Sequence, residues 1–108
     1  MTLRGLLLAL VAALLLVTPQ AVAAAPQTHV VVIDKMKFGV LPAKVKAGDT
    51  ILWVNKDMFR HTATASDGSF AIDLPAGASG KTVIGKAGAH PFLCKYHPGM
   101  RGVLQVSK

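Results

Sequence analysis

GAHPFLCKYHPGMRGVLQV, residues 88–106, holds the only cysteine of the chain, Cys94, with a histidine three positions on and a methionine three beyond that. Apolar residues flank the group on both sides, which reads as strand, tight turn, strand. Cys94, His97 and Met100 put three soft or borderline donors within seven residues. In an extended chain Cys94 and His97 would stand about 10 Å apart. Both reach one ion only if the backbone bends sharply after Cys94, a bend that Pro98-Gly99 is suited to continue.

Outward from this hairpin, the chain from Thr28 to Lys108 keeps one texture. Short runs rich in Val, Ile, Thr and aromatics are punctuated by Gly, Pro, Asp or Asn, with no repeat, long linker or helical periodicity. Strands are expected at His29–Ile33, Ala43–Lys46, Thr50–Asn55, His61–Ala65, Lys81–Ile84, His90–Cys94 and Gly102–Val106. Turns are expected at Ala47-Gly48-Asp49, Ser66-Asp67-Gly68 and Lys86-Ala87-Gly88. This is an all-β chain, a small antiparallel sandwich of Greek-key type. TILWV (50–54) is apolar on both faces and should be a central strand, with Trp53 as core filler. Pro42 and Pro91 remove ladder donors and belong at edges or bulges.

The first 23 residues read differently. Arg4, an uncharged run from Gly5 to Val17 and the small residues AVA at 21–23 have the layout of a secretory signal with cleavage after Ala23. The apolar run is shorter than the roughly 20 residues a membrane span needs, so no membrane anchor is expected after processing, and the periplasm is the expected location. Cleavage leaves one domain, 24–108. A domain this small often needs a staple, and one cysteine cannot form a disulfide within the chain, so a bound metal is a candidate. Of the 12 basic residues only Arg4 leaves with the leader, against 5 acids and no glutamate. Export makes a nucleic-acid partner improbable, and the spaced lysines (Lys35/Lys37, Lys44/Lys46) read as solvated strand faces of a soluble monomer.

Zinc accepts Cys and His, but a thioether is a poor zinc donor, and one Cys with one local His is too few for a closed structural site. Two imidazoles and a thiolate in a plane, with a long, weak Met, suit copper in an electron-transfer site. That scheme needs a second histidine, and His61, at the start of a strand, is the best supplier.

GDTILWVNKDMFRHTATA (48–65) followed by GAHPFLCKYHPGMRGVLQV (88–106) resembles the cupredoxins, most closely the amicyanin and pseudoazurin branch, over nearly all of residues 30–106. The features that carry it are the short Cys-x-x-His-x-x-Met loop and a histidine eight positions after Trp53. The resemblance implies one copper ion cycling between Cu(I) and Cu(II), held by His61, Cys94, His97 and, weakly, Met100. It also implies an apolar port around the His97 ring edge, for which Met58, Phe59, Pro98 and Gly99 are candidates. Lys56, Arg60, Lys95 and Arg101 neighbour the site, so a redox partner with an acidic docking surface is expected. Departures from the family pattern fall at Thr62, Lys95-Tyr96 and Arg60. Thr62, Asn55 and Lys95 are expected to surround and orient the ligands.

Other histidines and methionines read as structure. His90 lies about 13 Å along a strand from Cys94, too far to share an ion, and suits the core. His29 is misplaced for an amino-terminal copper clamp, and Met36 reads as core or rim. Three functions compete: a one-electron copper carrier, a copper carrier or chaperone without redox work, and a binding module whose loop is structural. Donors on a stiff framework favour the first. An enzyme is not expected, because Met100 fills the place a substrate would take and no carboxylate pair or Ser/His/Asp set lies beside the loop.

Overall fold

A computed structural model describes residues 11–19 and 25–108; the expected cleavage point at Ala23 lies outside these. Among the described residues there are nine strands and no helix, hence none long and apolar enough to cross a membrane. They are β1 (Thr28–Asp34), β2 (Lys37–Phe38), β3 (Val45–Lys46), β4 (Thr50–Asn55), β5 (His61–Ala65), β6 (Ala71–Leu74), β7 (Ser79–Val83), β8 (Gly88–Cys94) and β9 (His97–Ser107).

The strands form two sheets, ordered β2-β1-β4-β7 and β3-β9-β8-β5-β6. The all-β sandwich expected from the sequence is therefore present, with crossed connections between its layers. It is not purely antiparallel, since β1 runs parallel to β4 and β3 parallel to β9. Strand β4 is interior to its sheet, as its apolar character required. Its inward residues Ile51 and Trp53 are buried, whereas Leu52 and Val54 on the outer face are only half-buried.

Two strands escaped the sequence reading. β2 is two residues long and follows a turn in which Lys35 and Met36 adopt φ of 51° and 60° without glycine to mark the reversal. β6 is the short run AIDL, whose alanine and aspartate have weak strand preference. The expected strand at Ala43–Lys46 narrows to Val45–Lys46, because only those residues pair with β9. Pro91 sits within β8 but just past its last pairing with β5, where its carbonyl accepts the N–H of Ser66 at 2.8 Å. The missing donor faces the side on which the ladder has ended.

The layers are joined by aromatic packing. Trp53 stands edge-on to Phe38 and Phe92, with centroids 6.0 and 5.4 Å away, and lies tilted against Phe70 at 5.8 Å. Its indole N–H donates to Thr82 Oγ1 at 2.9 Å, so the one polar atom of the largest core residue is satisfied. Phe92 lies across from Gly102 on β9, where a Cβ would come within 2.7 Å of the ring. That close approach locks the register of the hairpin leading to the donor loop.

The end of the sandwich opposite the donor loop is tied by two histidine–aspartate pairs. Asp49 accepts the N–H groups of Gln27 at 2.9 Å and Lys46 at 3.0 Å and pairs with His29 Nε2 at 2.8 Å. His90, buried as expected, sends Nε2–H to the Lys86 carbonyl at 2.7 Å and meets Asp67 at 2.6 Å through Nδ1. Ser69 Oγ approaches that same Nδ1 at 3.3 Å, so Ser69, His90 and Asp67 are not wired as a nucleophile, base and orienter. The Ser69 hydroxyl and N–H, with His90, hold the Asp67 carboxyl far below the usual carboxylate range.

The N–H of Gln27, helped by His29 and Lys46, holds the Asp49 carboxyl at about 2 against an ordinary 3.8. Such a group contributes stability above its unfolded pKa and loses it as pH falls through the folded one. Urea midpoints of the wild type should accordingly drop more steeply than those of Asp49→Asn between about pH 4 and about pH 2. Parallel curves would mean that this carboxylate does not link N-terminal strand docking to pH.

Candidate metal centre

The hairpin β8–β9 builds most of the site by a slip in its own ladder. Leu93 pairs with Arg101 and Phe92 with Gly102, but Cys94 pairs with His97. Pro98, Gly99 and Met100 are thus extra residues on the β9 side of a bulge, which re-aims the strand. The sharp bend required by the Cys94–His97 spacing is this two-residue turn through Lys95 and Tyr96. Met100 emerges from the bulge buried in the core cluster, while Pro98 and Gly99 remain exposed.

His61 enters from β5, the strand beside β8. It is fully buried, as is Cys94, while His97 is partly exposed. Cys94 Sγ lies 3.7 Å from His61 Nδ1 and 3.8 Å from His97 Nδ1, and all three donor atoms fall within 4.8 Å of one another. The imidazoles stand edge to face, with centroids 5.1 Å apart. With metal–sulfur and metal–nitrogen bonds of about 2.3 and about 2.05 Å, an ion at the centre of a trigonal set implies sulfur–nitrogen separations of about 3.8 Å. The two observed sulfur–nitrogen distances therefore match donors sharing one ion, and two imidazoles plus a thiol suit copper.

The surrounding residues hold this arrangement. The N–H of Thr62 donates to Cys94 Sγ at 3.3 Å, which fixes the sulfur's position against β5. Thr62 Oγ1 accepts the N–H of Lys95 at 3.0 Å and meets Thr64 Oγ1 at 3.0 Å. The departure at Thr62 is thus not a loss, since one residue bridges the strand bearing His61 and the loop bearing Cys94. Lys95 contributes through its backbone, and its ammonium group lies 5.7 Å from the Tyr96 ring centroid.

Asn55, at the end of β4, directs its side-chain hydrogen bonds to the backbone and not to the donor atoms. Its Nδ2 donates to the carbonyls of Phe59 at 2.8 Å, Leu74 at 3.0 Å and Pro75 at 3.2 Å, and its Oδ1 accepts the N–H of Asp57 at 3.0 Å. It shapes the loop from Lys56 to Arg60, which carries Met58 and Phe59 to the surface beside the site. Met58 is 87% exposed and Phe59 55%, and the Phe59 ring stands edge-on to His97 at 6.4 Å. Lys56 is exposed. Arg60 reaches to 3.7 Å from Asp73, and Arg101 clasps the bulge by donating to the Pro98 carbonyl at 3.0 and 3.3 Å. Of the residues expected at the port, Arg101 therefore also has a local structural role.

Sequence reasoning missed Asp57. Its carboxylate meets His61 Nε2 at 2.8 Å and accepts the N–H groups of Lys35 at 2.7 Å and Met36 at 2.9 Å. Burial acts to raise its pKa, but the donors from Met36, His61 and Lys35 outweigh this and hold it below the usual value. Only the four-residue spacing to His61 hinted at the contact, and in a loop that spacing carries no fixed geometry.

A two-layer β-sandwich that closes two imidazoles and a thiol around one point at the end of its sheets defines a small metal-holding protein of the cupredoxin class. The chain belongs to the cupredoxin-like domain family, whose profile matches residues 6–106. It is 33% identical over 95 residues to amicyanin of Paracoccus versutus, an alignment covering 82% of this chain and 72% of that one. Among solved structures it is similar to the Cu(I) form of an amicyanin point mutant, with a TM-score of 0.65 and 29% identity over 78% of this chain and 86% of the other. A second amicyanin mutant in its reduced state matches with a TM-score of 0.63 and 30% identity, over 72% and 80% of the two chains.

Replacing Thr62 with Val would remove the acceptor of the Lys95 N–H, at a net cost of about 0.5–1.5 kcal/mol for this part-buried bond. The expected outcome is a lower urea midpoint together with faster amide exchange at Lys95. Unaltered exchange there would show that the hydroxyl does not anchor the loop.

Proposed function

We propose that the chain is a periplasmic type 1 copper protein that carries single electrons between redox partners, with His61, Cys94 and His97 as the close ligands and Met100 as the weak fourth. The observation that carries this reading is the spacing of His61 Nδ1, Cys94 Sγ and His97 Nδ1, 3.7 and 3.8 Å across the two sulfur–nitrogen pairs, on three neighbouring strands of the five-stranded sheet. Bound copper would supply the one-electron Cu(I)/Cu(II) couple. The residues supply the rest. The thiolate gives a path of strong electronic coupling, and imidazoles tolerate either oxidation state. The thioether favours the reduced one. Because the donors are preset by ladder pairing and by the Thr62 bridge, little has to move when an electron arrives or leaves. No bond of a substrate is made or broken, so the protein is a carrier and not an enzyme.

Residues 1–23 serve as the export leader in this reading, and the mature domain acts as a soluble monomer. Met58, Phe59, Pro98 and Gly99 form the apolar surface through which the partly exposed His97 exchanges electrons. Lys56, Lys95 and Arg101 rim it with positive charge, with Arg60 partly offset by Asp73. An acidic partner surface complements that rim.

Adding Cu(II) to the purified protein should produce intense visible absorption that Cys94→Ser abolishes. A colourless complex that hands its copper to an acceptor would instead identify a copper carrier or chaperone. Met100→Gln should retain copper at a lower midpoint potential, since a harder oxygen donor favours Cu(II); an unmoved potential would remove Met100 from the ligand set. Electron exchange with an anionic probe such as hexacyanoferrate should slow markedly as salt is added, while a cationic cobalt complex should speed up or stay level. Equal salt responses would show that the rim does not steer partners.

A further inference from the structure

One carboxylate at the donor end serves two elements. Asp57 Oδ1 accepts the N–H of Lys35 at 2.7 Å, while Oδ2 accepts the N–H of Met36 at 2.9 Å and meets His61 Nε2 at 2.8 Å. Lys35 and Met36 are the non-glycine residues with positive φ among those described, at 51° and 60°. Two such residues in succession persist only where their surroundings hold them, and here both of their N–H groups reach Asp57, the Lys35 N–H being shared with Asp34 Oδ1 at 2.9 Å. The Asp57 N–H is itself fixed by Asn55 Oδ1 at 3.0 Å.

We propose that Asp57 is the positioning residue of the metal centre. It holds His61 in the tautomer protonated at Nε2, so that the Nδ1 lone pair faces Cys94 Sγ, and the Lys35-Met36 turn is the support that holds Asp57 in place. This rests on the copper reading of the site. The nitrogen of a buried imidazole that can bind a metal is decided by where the other nitrogen sends its proton. An ionised carboxylate can only accept, so Nε2 must donate. The opposite tautomer would aim a proton at the sulfur and block the point where the ion sits. An asparagine cannot satisfy both elements. With its oxygen in the Oδ2 place it keeps His61 and Met36 but sets an amide NH2 against the Lys35 N–H. Reversed, the NH2 confronts both Met36 and His61.

The experiment compares wild type with Asp57→Asn and Asp57→Ala, each loaded with copper. Cu(II) affinity should fall by about 10- to 100-fold. The midpoint potential should rise, because removing a negative charge beside the ligand favours Cu(I), and amide exchange at Lys35 and Met36 should accelerate. A purely structural Asp57 would lower the unfolding midpoint while leaving affinity and potential untouched, and that pattern overturns the proposal. Should the variants not fold, nitrogen NMR of the metal-free wild type at alkaline pH decides. His61 protonated at Nε2 supports the assignment, and protonation at Nδ1 refutes it. A wild type that forms no intensely absorbing Cu(II) complex would sink the reading of the site and this role with it. A wild type that does, beside indifferent Asp57 variants, would sink this role alone.

Discussion

The three-residue slip between the Leu93–Arg101 and Cys94–His97 pairs is the constraint on which the donor end depends. In a regular ladder, residues of β9 would continue past Cys94 in step with β8, and His97 would be carried away from the sulfur. The slip instead lets the turn close early, directly opposite the cysteine. The surplus backbone then folds inward far enough to bury Met100. Arg101 fastens the surplus by its bonds to the Pro98 carbonyl, and Phe92 against Gly102 keeps the ladder below from slipping too. A lone thiol flanked by imidazole and thioether, unintelligible as a disulfide half, becomes one corner of a prepared cage.

His61 comes from the neighbouring strand, 33 positions earlier in the chain, so the cage exists only if two sequence-distant elements are rigidly joined. Thr62 makes that join at the atoms themselves, touching Cys94 Sγ through its N–H and the Lys95 N–H through its hydroxyl. The aromatic cluster around Trp53 makes it at the level of the layers. The two buried histidines and the half-buried His29 are each held by an aspartate: His29 by Asp49, His61 by Asp57 and His90 by Asp67. Burying an imidazole without a partner for both nitrogens would leave an unsatisfied polar atom, and among the described residues no buried side-chain polar atom is left so.

Much of this was legible in the sequence, for identifiable reasons. Strands β4, β5 and β8 were read within two residues because β-branched and aromatic runs end at Gly, Pro, Asp or Asn. The approach of Cys94 and His97 was legible because soft side chains three residues apart have little other use in a tight turn. The pairing of β1 with β4 and of β3 with β9 in parallel was not legible, since alternation reveals a buried face but not the direction of the neighbour. Asp57 was missed for a related reason. Its role arises from a left-handed turn at Lys35 and Met36, residue types that do not advertise positive φ, brought against a loop some 20 residues away.

The chain has no glutamate, and all five of its aspartates are engaged at home. Asp34 accepts the Lys35 N–H, Asp73 faces Arg60, and Asp49, Asp57 and Asp67 are taken up by histidines and backbone donors. Calcium, magnesium and manganese seek clusters of free carboxylate oxygens, and this surface presents ammonium and guanidinium groups in their place. Abundant hard cations thus meet few carboxylates here, each already engaged by a neighbour within the chain.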